Sequence, residues 1–180
     1  MAQIDRFAIT LFEEAKRFLE KAKSEATEEG KIAYLNATLL IGVCALEAHV
    51  NAIADEMLMR EDLNVLERSI LSETEYELQN GEFVLRNRLK MYRLLERVQF
   101  IHRRFGNTPL DTTTEWWTQV DSALRKRNAL VHPKDSLVLS EEMVEDALRG
   151  ILGILDALYI ALYKTHYPAL GRQMDSIMTF

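Results

Sequence analysis

The stretch Arg125-Lys126-Arg127-Asn128-Ala129-Leu130-Val131-His132-Pro133 places an arginine and a histidine five residues apart at the expected end of an amphipathic helix. A guanidinium grips phosphate through a planar fork of donors. Imidazole, with an ordinary pKa of about 6.5, exchanges protons near neutral pH. Together they are a minimal kit for breaking an RNA backbone without a metal ion. The spacing alone carries little weight. Fourteen arginines and four histidines give roughly one such match by chance, and Arg97 with His102 supplies a second one inside a basic helix. Helical phase singles out Arg127. It lies four residues after Ala123 and seven after Val120, with the apolar stripe, whereas Arg125 and Lys126 point elsewhere. An inward arginine must meet a carboxylate, a carbonyl or a ligand phosphate.

The elements that position these groups follow from periodicity. Seven glycines and three prolines in 180 residues leave few turns, and the abundance of Leu, Ala, Glu and Arg favours long helices over short strands. A first helix is expected over residues 4–27, with Phe7, Leu11, Ala15, Phe18 and Ala22 at helical spacing and Gly30 as a left-handed cap. A second, over 31–59, is the most apolar and should lie centrally. One of its stripes carries Glu47 and Asn51 among apolar neighbours, and a buried carboxylate there needs a partner or a function. Residues 60–83 read as a short acidic helix, 63–71, and a loop through Asn80-Gly81. A third long helix is expected over 82–104, with Leu85, Leu89, Tyr92, Leu95, Val98 and Ile101 or His102 inward. A fourth starts after Asp111 behind a Thr112-x-x-Glu115 capping box and stops at Pro133. A fifth starts after Ser140 and ends near His166-Tyr167-Pro168, leaving an irregular tail, 169–180. The fold class is therefore all-α. The whole chain, 1–180, forms a single domain: an up-down bundle of four to five long helices with a short acidic insert and a core over about 31–163.

Charge and cysteine content narrow the function. A net charge of −6 argues against a coat for duplex DNA. The distribution is uneven: residues 55–82 hold nine acids and two bases, whereas 83–104 hold seven bases and one acid. Local positive regions can still collect a phosphodiester on an acidic protein. The single cysteine, Cys44, excludes an internal disulfide and reads as a small core residue. The N-terminal residues lack signal-peptide architecture, and the longest apolar run is interrupted by Glu47, His49 and Asn51. A cytoplasmic protein with no membrane partner is expected. No Glu-x-x-His, His-Glu-x-x-His, thiolate-zinc or Gly-x-Ser-x-Gly pattern occurs, and Gly150 and Gly153 form no phosphate loop, so neither a metal nor a cofactor is expected. His49 reads as a helix-face residue with local hydrogen bonds, and His102 and His166 as surface or capping residues. Trp116 and Trp117 read as core anchors or dimer contacts that could otherwise stack bases.

The segment Arg127-Asn128-Ala129-Leu130-Val131-His132 resembles the Arg-x(4–6)-His signature of the HEPN superfamily, in which a polar residue commonly follows the arginine at a helix end. The run Ala45-Leu46-Glu47-Ala48-His49-Val50-Asn51 is similar to the HEPN helix that carries an acidic residue opposite that signature. The resemblance spans about residues 31–163, with specificity confined to the six-residue motif. It implies a bundle that dimerises so that two motifs face one cleft. It also implies a metal-independent endoribonuclease of toxin–antitoxin, phage-defence or RNA-processing systems, or a relative that only binds RNA or protein. A cognate antitoxin or regulatory protein is a further implied partner. In this scheme Arg127 holds the scissile phosphate, His132 moves the proton and Asn128 orients either one. Glu47, with Asn51 beside it, sets the direction of Arg127, and Arg125, Lys126 and Lys134 bind RNA. The HepT branch places a tyrosine two residues after the histidine. Here Lys134 stands there, so that branch is not supported. A purely structural alternative also fits: a buried Arg127–Glu47 pair, with His132 capping the helix.

Overall fold

In a computed structural model, which describes residues 3–133 and 136–180, the chain is mostly helical with one small antiparallel sheet. Helix α1, Gln3–Ser24, buries Ala8, Phe12, Ala15, Leu19 and Ala22, one residue per turn along one side. This stripe packs along α2, Glu28–Leu58, so the core reaches back beyond residue 31 to the first helix. The boundary between the two helices differs from the expected one. Thr27 caps α2, its Oγ1 accepting the Gly30 N–H at 3.2 Å, and Glu28 and Glu29 occupy the electropositive first turn. Gly30 is therefore inside a helix and not a left-handed stop.

The 31 residues of α2 make a rod about 46 Å long. It is long and apolar enough to cross a membrane by length and composition, yet 56% of its apolar window is buried inside the protein. Its neighbours are α1, the short α3 (Val65–Ser72), α4 (Leu94–Gly106), α5 (Glu115–Val131) and α6 (Glu141–Tyr163). Asn64 and Glu67 close a reciprocal capping box on α3. Ser140 Oγ accepts the Met143 N–H at the start of α6. The box expected at Thr112 and Glu115 does not form. Thr114 is the N-cap without a side-chain bond to the helix, its hydroxyl donating instead to the Asp111 carbonyl at 3.1 Å.

The largest departure lies at residues 74–89. In place of the beginning of a helix, strands β1 (Thr74–Gln79) and β2 (Glu82–Leu89) form a hairpin with Tyr76 opposite Leu85 and Leu78 opposite Phe83. Asn80 and Gly81 both take positive φ, 52° and 88°, as a two-residue hairpin turn requires. Leu85, Leu89 and Tyr92 fit a helical period, but Glu75-Tyr76-Glu77-Leu78 alternates with period two, and the Asn-Gly turn favours the alternation. The hairpin stands off the bundle against α3, with Leu78, Phe83 and Leu89 exposed.

Two glycines set how closely α5 approaches α6. A Cβ on Gly153 would lie 2.6 Å from Trp116, and one on Gly150 would lie 2.8 Å from Gln119. Trp116 thereby anchors α5 on α6. Helix α6 ends at Tyr163 with Lys164 left-handed, before the expected boundary. The tail contains a single 3-10 turn, Leu170–Arg172, and is tied to α1. Glu13, almost fully buried, meets Lys16 and Arg172 at 2.8 Å each and accepts the Ile177 N–H. Burial opposes the charge of Glu13, but these partners outweigh it and hold its carboxyl below the usual range. Tyr167 is sealed in the core, and its hydroxyl donates to His49 Nε2, since His49 Nδ1 donates to the Ala45 carbonyl.

Candidate functional site

Glu47 and Asn51 of α2 each hold an arginine, although neither is buried: Asn51 is exposed and Glu47 is half-open to solvent. Glu47 Oε1 accepts from Arg127 Nη2 of α5 at 2.8 Å. One turn further on, Asn51 Oδ1 accepts from Arg97 Nη1 of α4, also at 2.8 Å. Arg97 additionally meets Glu73 Oε2 at 3.1 Å and donates to the Leu71 carbonyl at 2.9 Å. The two arginines differ in burial. Arg97 is 4% exposed, whereas the Arg127 and Glu47 side chains are 30% and 42% exposed. Desolvation lowers the Arg97 pKa against the opposing pull of Glu73, Asp55 and Glu47, and a guanidinium so placed still keeps its proton.

The Nε N–H groups of both Arg97 and Arg127 are buried and find no hydrogen-bond partner among the described residues. An orphaned buried donor costs about 1–3 kcal/mol. The half-open Arg127–Glu47 pair is therefore poorly optimised as a strut. The Arg127–Glu47 contact of the structural alternative forms, but it is half-open to solvent and not buried.

Between α2, α4, α5 and the chain leaving the hairpin lies a cavity of about 640 Å³. Its wall includes Glu47, Asn51, Arg97, Trp117, Arg127 and Asn128. Arg125 also lines it, paired with Asp121 at 2.6 Å, so it shares a side of α5 with Arg127 instead of pointing away. Lys126 does not line it and donates to Ser122. His132 is outside the cavity wall. It is the C-cap of α5, exposed, with φ −126°, ψ 67° and its backbone N–H on the Asn128 carbonyl at 2.9 Å. Lys134 lies outside the described residues.

No protein-family model, curated protein or solved structure matches this chain. The chemistry of the site therefore rests on its own geometry. Among the described residues, no group of three or more His, Cys, Asp or Glu side chains converges to hold a metal ion.

Several residues fall differently from their sequence reading. Cys44 is exposed, one turn before Glu47, and not a core residue. Partial desolvation and then the Glu47 charge push its thiol up, with Arg127 partly offsetting them. His102 is buried, with Nδ1 2.9 Å from the Thr108 carbonyl, and is not a surface residue. The second Arg-to-His match is thus interior at both ends. His166 is exposed against Asp156. The two tryptophans divide, Trp116 against α6 and Trp117 on the cavity. Arg97 is the wall residue that sequence reasoning missed. Its signal was the polar pair Glu47 and Asn51, four residues apart on one side of α2, of which Asn51 holds Arg97.

Proposed function

We propose that the protein is a HEPN-like endoribonuclease of the cytoplasm that works as a homodimer and cleaves RNA without a metal ion. The observation that carries this reading is that Arg127, aimed by Glu47, remains open to a ligand while His132 sits exposed at the end of the same helix. Arg127 binds the scissile phosphate and offsets the charge growing on its oxygens. His132 removes the proton from the 2′-hydroxyl as the 2′-oxygen bonds to phosphorus. The bond from phosphorus to the 5′-oxygen breaks, and that oxygen takes a proton from the histidine of the second copy. The products are a 2′,3′-cyclic phosphate and a free 5′-hydroxyl, and DNA is inert because it has no 2′-hydroxyl. Asn128, on the cavity rim, orients the phosphate.

A second reading is supported by the position of His132, which caps α5 and does not line the cavity. There the site binds RNA, or a protein partner such as an antitoxin, without cutting. Cleavage of single-stranded RNA in EDTA separates the two. The wild type should cut, and His132→Ala should lose cutting while keeping its melting temperature. Equal cutting by His132→Ala, or no cutting of any RNA, refutes the nuclease reading.

A further inference from the structure

The cavity beside Arg127 is larger and more varied than a phosphate clamp needs. A volume of about 640 Å³ is in the range of small-ligand sites. Its cations come paired with carboxylates: Arg127 with Glu47, Arg97 with Glu73, and Arg125 with Asp121. Beyond the phosphate place at Arg127, a second anion would meet a carboxylate beside Arg97 and beside Arg125. A flat ligand that carries donors and acceptors side by side meets both.

Helix α5 supplies such a surface. Trp117, Asp121, Arg125 and Asn128 recur about once per turn along the cavity side, and His132 follows at the helix end. Trp117 lines the cavity, partly buried, and an indole is a ring on which single-stranded bases are commonly held. Asp121 and Arg125 sit at the mouth, 43% and 69% exposed, and form a single pair at 2.6 Å. Guanine is the RNA base that presents two adjacent donors, N1–H and the exocyclic amine, to the two oxygens of one carboxylate. It also presents O6 and N7 to one guanidinium.

We infer that this cavity is a guanine-nucleotide subsite, with the ring on Trp117, its donor edge on Asp121 and its acceptor edge on Arg125. Arg97, tied to Asn51, Glu73 and Leu71, forms the fixed floor. Its place next to a scissile phosphate rests on the cleavage reading given above. Base recognition does not. A strand laid along α5 meets the base site first and reaches the phosphate about 10 Å later, over the seven residues from Asp121 to Asn128.

The test has one arm that is independent of activity. The four 5′-mononucleotides are titrated against intact protein and followed by tryptophan fluorescence. GMP should bind about tenfold or more tighter than AMP, CMP or UMP. Trp117→Phe keeps an aromatic ring but should lose most of the quench. Asp121→Asn, at an exposed position, should bring GMP to parity with AMP. In the second arm, oligoribonucleotides that differ at one position next to the cut should be cleaved preferentially beside guanine. Equal binding of all four nucleotides, or a guanine preference that survives Asp121→Asn, overturns the assignment even if RNA is cut. Selective GMP binding by a protein that cuts no RNA sustains the subsite and overturns the nuclease reading instead.

Discussion

Replacing Arg127 with alanine should leave the fold almost as stable as before while removing function. The Arg127–Glu47 contact is 2.8 Å, but the side chains are 30% and 42% exposed. A pair that open to water is worth about 0.2–1 kcal/mol. Against this gain, the Arg127 Nε N–H is buried without a partner among the described residues. That defect costs about 1–3 kcal/mol in the folded state, and the alanine variant escapes it. Lost packing of the arginine stem uses up much of that relief. The net change should stay within about 1 kcal/mol, or about 2–4 °C of Tm for a chain of this size. Thermal melts of wild type, Arg127→Ala, Glu47→Ala and the double variant measure the coupling directly, and it should be below about 1 kcal/mol. RNA cleavage in EDTA by Arg127→Ala should fall by about 10²–10³, the cost of one missing charge-stabilising donor. A Tm loss above about 10 °C with a coupling beyond about 3 kcal/mol and undiminished cleavage would show the pair to be a structural strut.

Arg97 should behave in the opposite way. It is buried and tied to Glu73, Asn51 and the Leu71 carbonyl, so Arg97→Ala should cost about 3–5 kcal/mol in urea unfolding, and a loss under about 1 kcal/mol would contradict its role as the cavity floor. Gly153→Ala would push a methyl group to 2.6 Å from Trp116, and overpacking of this kind costs about 1–3 kcal/mol. An unchanged Tm for that variant would mean that α5 and α6 separate freely. Glu13 gives a pH signature. Its folded pKa is held below the ordinary 4.5, so its contribution is complete above pH 4.5 and is lost as pH falls through the folded value. Glu13→Gln should therefore melt lower than wild type at pH 7, with the gap closing as the solution is acidified below 4.5. A gap that is constant with pH would rule out the tail clamp as a titrating contact.

Much of the helical framework was legible because burial repeats at 3.6 residues along α1, α2, α5 and α6. That Glu47 and Arg127 face each other was legible on the same ground, although the pair is half-open to solvent and not inward. The hairpin was not, because Leu85, Leu89 and Tyr92 satisfy two periods at once, and short apolar runs do not separate strand from helix. Cys44 is exposed instead of buried, and His102 follows the inward phase of its helix and not a surface position, since burial at the edge of a helical stripe depends on which neighbour lands there.

The order of residues by itself determined a helical chain and an arginine–histidine pair closing the fifth helix, because both depend on local spacing. Only the tertiary structure decided that Arg97 joins Arg127 around one cavity, that Trp117 faces it while Trp116 is spent on α6, and that His132 stands outside its wall. Those facts depend on how three helices and a hairpin pack. A contact such as Arg97 to Asn51 joins residues 46 positions apart, whose meeting no local pattern encodes.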